Sequence, residues 1–99
     1  MTTYRLQRKP AMVHAVPFNG SNYAEIQAFT GEGMFMQVEP RQIPGDGVMV
    51  AEVYNVLHAQ WVGVFVGQWI VRGLVGELYP IDDHVAQAGY EAPEGGWPE

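Results

Sequence analysis

Turn signals set the limits on what this chain can fold into. Between residues 34 and 80 they recur at 40–47, 58–60, 66–68 and 73–76, and the runs between them are short and rich in Val, Ile, Phe and Trp. Segments 34–39, 48–57, 61–65, 69–72 and 77–79 therefore read as strands, with Pro80 ending the last. The 48–57 run is apolar at most positions, which predicts a strand buried on both faces. The turns at 58–60, 66–68 and 73–76 fall within roughly 35 residues, a spacing that predicts three successive hairpins and hence a β-meander. Pro40 and the Gly-Asp-Gly run at 45–47 place a loop over 40–47.

The N-terminal part is different. Residues 11–18 mix β-branched and aromatic types with a late proline, as a strand near a sheet edge does, and Asn19-Gly20 turns the chain. Asn22 and Glu25 have the spacing of a capping box, followed by Ile26 and Phe29 at helical spacing and Gly31 as a stop. So few residues give a helix of about two turns that depends on docking against the sheet. Asp82 is placed to cap a second short helix reaching Ala88. The predicted class is α+β: a small curved antiparallel sheet or partly closed barrel, with one short helix after the first strand. The 99 residues make one domain, with an ordered body over about residues 4–90 and a loose acidic tail over 91–99.

Composition removes several chemistries. There is no cysteine, so thiol nucleophiles, thiolate metal sites and disulfides are absent together. Ser21 is the sole serine and Lys9 the sole lysine, and a triad built on a helix-capping serine is a poor nucleophile. His14, His58 and His84 match no metal-ligand spacing. Asp82-Asp83-His84 is the nearest approach to a ligand cluster and reads more simply as a helix start. Three of the 5 basic residues, Arg5, Arg8 and Lys9, lie in the first nine positions, which leaves Arg41 and Arg72 against all 11 acids in the remainder. Such a body repels a phosphate backbone. The residues predict no nucleic-acid partner, no cofactor, no metal and, lacking a long apolar run, neither signal peptide nor membrane association.

Residues 66–80, Val-Gly-Gln-Trp-Ile-Val-Arg-Gly-Leu-Val-Gly-Glu-Leu-Tyr-Pro, resemble the signature of a family of small uncharacterised bacteriophage proteins, Pro-Gly-Asp-Trp-Ile-(Ile/Val)-basic-Gly-x-x-Gly-Glu-(Phe/Leu)-Tyr-Pro. Gly67, Trp69, Ile70, Arg72, Gly73, Gly76, Glu77, Tyr79 and Pro80 carry the match. Lys9-Pro10, Ala15-Val16, Gly20, Glu25-Ile26, Phe29, Gly31 and Tyr90-Glu91 extend it loosely over about residues 4–91. The chain departs from the pattern at Val66, at Gln68, at Pro17 and in a longer 41–47 loop. The resemblance implies phage origin and a location in the host cytoplasm. It implies no particular activity.

Five residues stand out as candidates for binding a ligand or partner: Trp61, Trp69, Arg72, Glu77 and Tyr79. Trp61, Phe65 and Trp69 share parity, so an unbroken strand would range three rings on one face as a stacking platform; a turn at 66–68 would instead send them into a core. Arg72 and Glu77 flank the 73–76 turn, where they form either a cross-strand ion pair or a polar recognition pair. Glu77 with His58, or Asp83 with His84, are the acid–base pairs an enzyme would have to use, and no residue is assigned a catalytic role. The expected function is a non-enzymatic phage protein of the infected cell, which sequesters a small ligand such as a nucleotide-type immune signal or inhibits a host protein. The alternative is a minor capsid or tail component. A short sheet with this many apolar residues is also expected to pair as a homodimer.

Overall fold

The computed structural model describes residues 13–90, 92–93 and 95–97. In chain order the elements are β1 (His14–Pro17), α1 (Tyr23–Thr30), β2 (Phe35–Ile43), β3 (Gly47–Asn55), β4 (Gln60–Phe65), β5 (Trp69–Arg72), β6 (Leu78–Ile81) and α2 (Asp83–Gly89). The class is α+β, as the sequence predicts. The strands divide into two three-stranded antiparallel sheets, ordered β1-β5-β6 and β2-β3-β4, which do not close into a barrel. The basic segment 1–10 and part of the acidic tail lie outside the described residues.

The division happens at 66–68. This turn is no hairpin: β4 pairs with β3, whereas β5 pairs with β1 and β6, so the chain changes sheets there. Two backbone hydrogen bonds lock the corner to the end of β1, from Phe18 N to Gln68 O at 2.8 Å and from Gly67 N to Phe18 O at 2.9 Å. Gly67 takes φ +96°, a conformation costly for any residue with a Cβ. The hairpins are β2–β3, β3–β4 and β5–β6.

One core lies between the sheets. Val53, Ala51, Val64 and Phe35 come from one, Ile70 and Leu78 from the other, and Ile26 of α1 and Phe18 complete it. Phe18 packs edge-on to Tyr23 and to Phe35, with ring centroids 5.1 and 5.7 Å away. β3 alternates, with Ala51, Val53 and Asn55 buried and the residues between them half-buried, so it presents one face to the core. Expecting burial on both faces overlooked how much valine a two-layer fold leaves at its rim.

β2 runs four residues further than its sequence suggests. Gln37 pairs with Ala51 and Arg41 with Met49, so Val38, Glu39 and Pro40 bulge out of register, and the bulge admits a proline that an unbroken ladder would exclude. α1 starts and stops where its signals lie. Asn19 Oδ1 accepts from Ser21 N and Asn22 N, Asn22 Nδ2 reaches Glu25 Oε1, and Gly31 closes the helix at φ +100°.

The 73–76 turn is braced from within. Gly73 N donates to Glu77 O, Gly76 N to Gly73 O, and Val75 N to Glu77 Oε2 at 3.1 Å. A Cβ on Gly73 would fall on the Glu77 carboxylate, so that carboxylate keeps its place in the turn only because residue 73 has no side chain. Gly76 has open space around it but φ +86°. Gly76→Ala is therefore expected to cost about 1 kcal/mol through backbone strain alone. Gly73→Ala is expected to expel Glu77 from the turn. Urea midpoints of the two variants, with and without Glu77→Ala, check this: the second substitution rescues Gly73→Ala and leaves Gly76→Ala unimproved.

Candidate functional site

Three chain segments meet at one end of the molecule around an open cleft of about 580 Å³. Gly45 and Asp46 come from the β2–β3 turn, Phe65 to Gln68 from the corner between sheets, and Asp82, Asp83 and His84 from the start of α2. The walls are thus turn backbone and short polar side chains, with Phe65 and Val66 as the apolar part.

Gln68 holds the cleft together. Its Oε1 accepts from Phe65 N at 2.9 Å, and its Nε2 donates to Asp82 Oδ1 at 3.0 Å. Asp82 occupies the N-cap position of α2 with extended backbone, but its side chain makes no cap bond because Gln68 holds it. An aspartate at position 68 would set two carboxylates facing each other there. The departure from the phage pattern is thus matched by its surroundings.

Asp83 is held on both sides. Trp69 Nε1 donates to Oδ1 at 2.9 Å and Gln87 Nε2 to Oδ2 at 2.8 Å. Trp69 is buried, and Trp97 packs edge-on to it at 5.7 Å. Both carboxylates at the helix start are therefore fixed in direction before any ligand arrives. Asp46 and His84 are exposed at the mouth. The described lining brings three carboxylates, Asp46, Asp82 and Asp83, to the cleft, which suits a cationic or hydrogen-bond-donating group. Among the described residues no group of three or more His, Asp or Glu is placed to hold a metal ion.

The five candidates are not brought together. Trp61 lies on β4 in the other sheet, 39% exposed, with Tyr54 edge-on at 5.3 Å. Trp69 supports the cleft from behind. The stacking platform does not form, because the corner at 66–68 puts the two tryptophans in different sheets.

Arg72 and Glu77 do not pair. Arg72 stands opposite Leu78 and Glu77 beside Gly73, one position out of register for an ion pair. The Arg72 guanidinium instead donates to Phe29 O at 3.0 Å and lies 4.6 Å from the centre of the Phe29 ring. It ties α1 to the sheet. Glu77 is spent on its own turn.

Tyr79 sits against Tyr90. Burial pushes its hydroxyl up to about 12, and the Tyr90 hydroxyl and the Glu77 charge add to this. The folded state therefore favours protonated Tyr79, which contributes stability that is complete below pH 10.0 and lost between there and about pH 12. Alkaline unfolding of the wild type is expected to be steeper across that window than that of Tyr79→Phe. Equal slopes would show that Tyr79 does not govern it.

The cleft residues Asp46, Gln68 and Asp82 are absent from the five. The available signals were Gln68, a departure inside an otherwise well-matched motif, and the Asp82-Asp83-His84 cluster. Comparison with known protein families, with curated proteins and with solved structures finds no match to this chain.

Proposed function

We propose that the chain is a non-enzymatic binding protein and that the cleft between the β2–β3 turn, the sheet corner and α2 is its binding site. The observation that carries the reading is the fixing of Asp82 and Asp83 by Gln68, Trp69 and Gln87. Carboxylates already committed to such bonds serve recognition better than proton transfer, since a general acid or base needs its oxygen free for the substrate. The pairing of Asp83 with His84 as acid and base is disfavoured for that reason.

Following the resemblance of residues 66–80, we place this activity with a phage protein in the cytoplasm of the infected host. Of the two occupants expected from the sequence, the acidic lining favours a basic segment of a host protein over an anionic nucleotide. Of the two arginines among the described residues, Arg72 is engaged with Phe29 and neither lines the cleft.

The test is capture from infected-cell lysate on the immobilised chain, compared with Asp46→Lys. Asp46 is exposed, so charge reversal leaves the fold intact while opposing a basic ligand at the mouth. A host protein retained by the wild type, lost with Asp46→Lys and eluted by moderate salt is the expected result. Equal retention by both overturns the assignment. A near-stoichiometric signal from the chain in purified virions would favour the capsid or tail alternative instead.

A further inference from the structure

The β2-β3-β4 sheet has a second face, turned away from the core. Val53, Val62 and Val64 point inward, so strand alternation turns Glu52 and Tyr54 of β3, and Trp61 and Gly63 of β4, outward. The register sets these four in two adjacent rungs, Tyr54 opposite Trp61 and Glu52 opposite Gly63.

In the first rung the two rings meet at 64° with centroids 5.3 Å apart, and Trp61 is 39% exposed. They form an aromatic corner open to water on one side. In the second rung Gly63 raises no side chain, and the Met49 thioether fills the space where its Cβ would stand. Glu52 is half-buried between Met36 and Gly63, and its carboxylate is bonded to no described residue, so its oxygens face water. One strand over and two residues along, its Cα stands roughly 8 Å from that of Trp61, which brings the carboxylate and the rings to the border of one space. Arg41, opposite Met49, is two strands over and four residues along from Trp61, roughly 16 Å away.

This surface combines two ring systems, a thioether and one carboxylate, which narrows what can occupy it. An anion is repelled by Glu52, and a neutral apolar group would desolvate that carboxylate with nothing to pair it. A primary ammonium or a guanidinium brings several N–H donors and meets a single acceptor group. A methylated ammonium has a positive charge, apolar flanks and few or no donors. Ring faces attract such a cation, and an adjacent carboxylate adds to the attraction. We propose that the outer face of β3 and β4 binds a methylated ammonium head group between Trp61, Tyr54 and Glu52. The site shares no residue with the lining of the cleft and does not rest on the reading of the cleft. The formal net charge of −6 adds a general attraction for cations.

Choline is the probe, titrated at constant ionic strength against its uncharged isostere, in which carbon replaces the quaternary nitrogen. The 3 tryptophans give separate indole N–H resonances, and Trp61→Phe identifies the one to follow. Choline is expected to shift the Trp61 signal to saturation, the isostere to bind about tenfold more weakly, and Glu52→Gln to weaken choline by a similar factor without moving the thermal midpoint. A trimethyllysine peptide and phosphocholine vesicles, titrated in the same way, show whether the head group is carried by a protein, by a membrane or by a free cation, the tightest of the three ligands naming the source. A Trp61 signal unmoved by all three ligands overturns the proposal. So does an isostere that binds as well as choline, or full choline affinity in Glu52→Gln.

Discussion

Trp69→Ala is expected to destabilise the fold by about 3–5 kcal/mol, the range for removing a large buried aromatic. The side chain is 8% exposed, it opens β5 between Pro17 of β1 and Ile81 of β6, and its indole N–H holds Asp83. Removal leaves a cavity beside Ile81 and Trp97 and releases one oxygen of Asp83, so the start of α2 loosens as the sheet loses its anchor. For a domain whose total stability is about 5–15 kcal/mol, the loss covers a large part of the margin. Trp69→Phe separates the two contributions: it keeps most of the buried area and loses only the hydrogen bond, for about 1 kcal/mol. Urea titration of both variants checks this. A Trp69→Ala midpoint near that of Trp69→Phe would mean that the ring is not a packing anchor.

Arg72→Ala is expected to cost about 2 kcal/mol, and Glu77→Ala less than about 1 kcal/mol. Two partners in an exposed cross-strand ion pair, the first arrangement the sequence allows, would each lose less than about 1 kcal/mol. The difference arises because Arg72 makes a charge-assisted bond to Phe29 O and covers the Phe29 ring, joining α1 to a strand 43 residues further along. Arg72→Lys restores only part of the loss, because a lysine keeps the charge but not the planar fork lying on the ring. Equal effects of Arg72→Ala and Glu77→Ala in the same titration would return the pair to the cross-strand arrangement.

Local signals were readable wherever the chain decides its conformation locally. Asn19-Gly20, Asn22 with Glu25, and Gly31 mark α1, Asp82 marks the start of α2 and Gly76 marks the 73–76 turn, because turns and helix limits depend on a few adjacent residues, even though neither Asn22 nor Asp82 makes a side-chain cap bond to its helix. What could not be read was which sheet each strand joins. Val66, Gly67 and Gln68 have the composition of a hairpin turn, and only the bonds from Phe18 to the corner make them a crossing between sheets. That one difference sent Trp69 away from Trp61 and removed the platform suggested by their parity. Pro40 misled for a related reason: it breaks a regular ladder but is accepted by a bulge, and a bulge has no sequence signature of its own.

The cleft was hidden because its members come from three distant places in the chain. Asp46 read as a loop residue, Gln68 as a turn residue and Asp82 as a helix cap, and each reading is locally sound. They become a site only when the corner brings Gln68 under Asp82. The resemblance of residues 66–80 to phage proteins pointed to Trp69, Arg72, Glu77 and Tyr79, and in the fold these residues do structural work: one braces Asp83, one ties down α1, one fills a turn and one packs on Tyr90. Trp61 alone of the five stands exposed.

Amide hydrogen exchange, with and without the host protein captured by the wild type, addresses the assignment of the binding site most directly. Protection concentrated at 45–46, 65–68 and 82–84, with little change on β4 around Trp61, is the expected result. Protection centred on Trp61 and Tyr54, with the three cleft segments exchanging as fast as in the free chain, would contradict it.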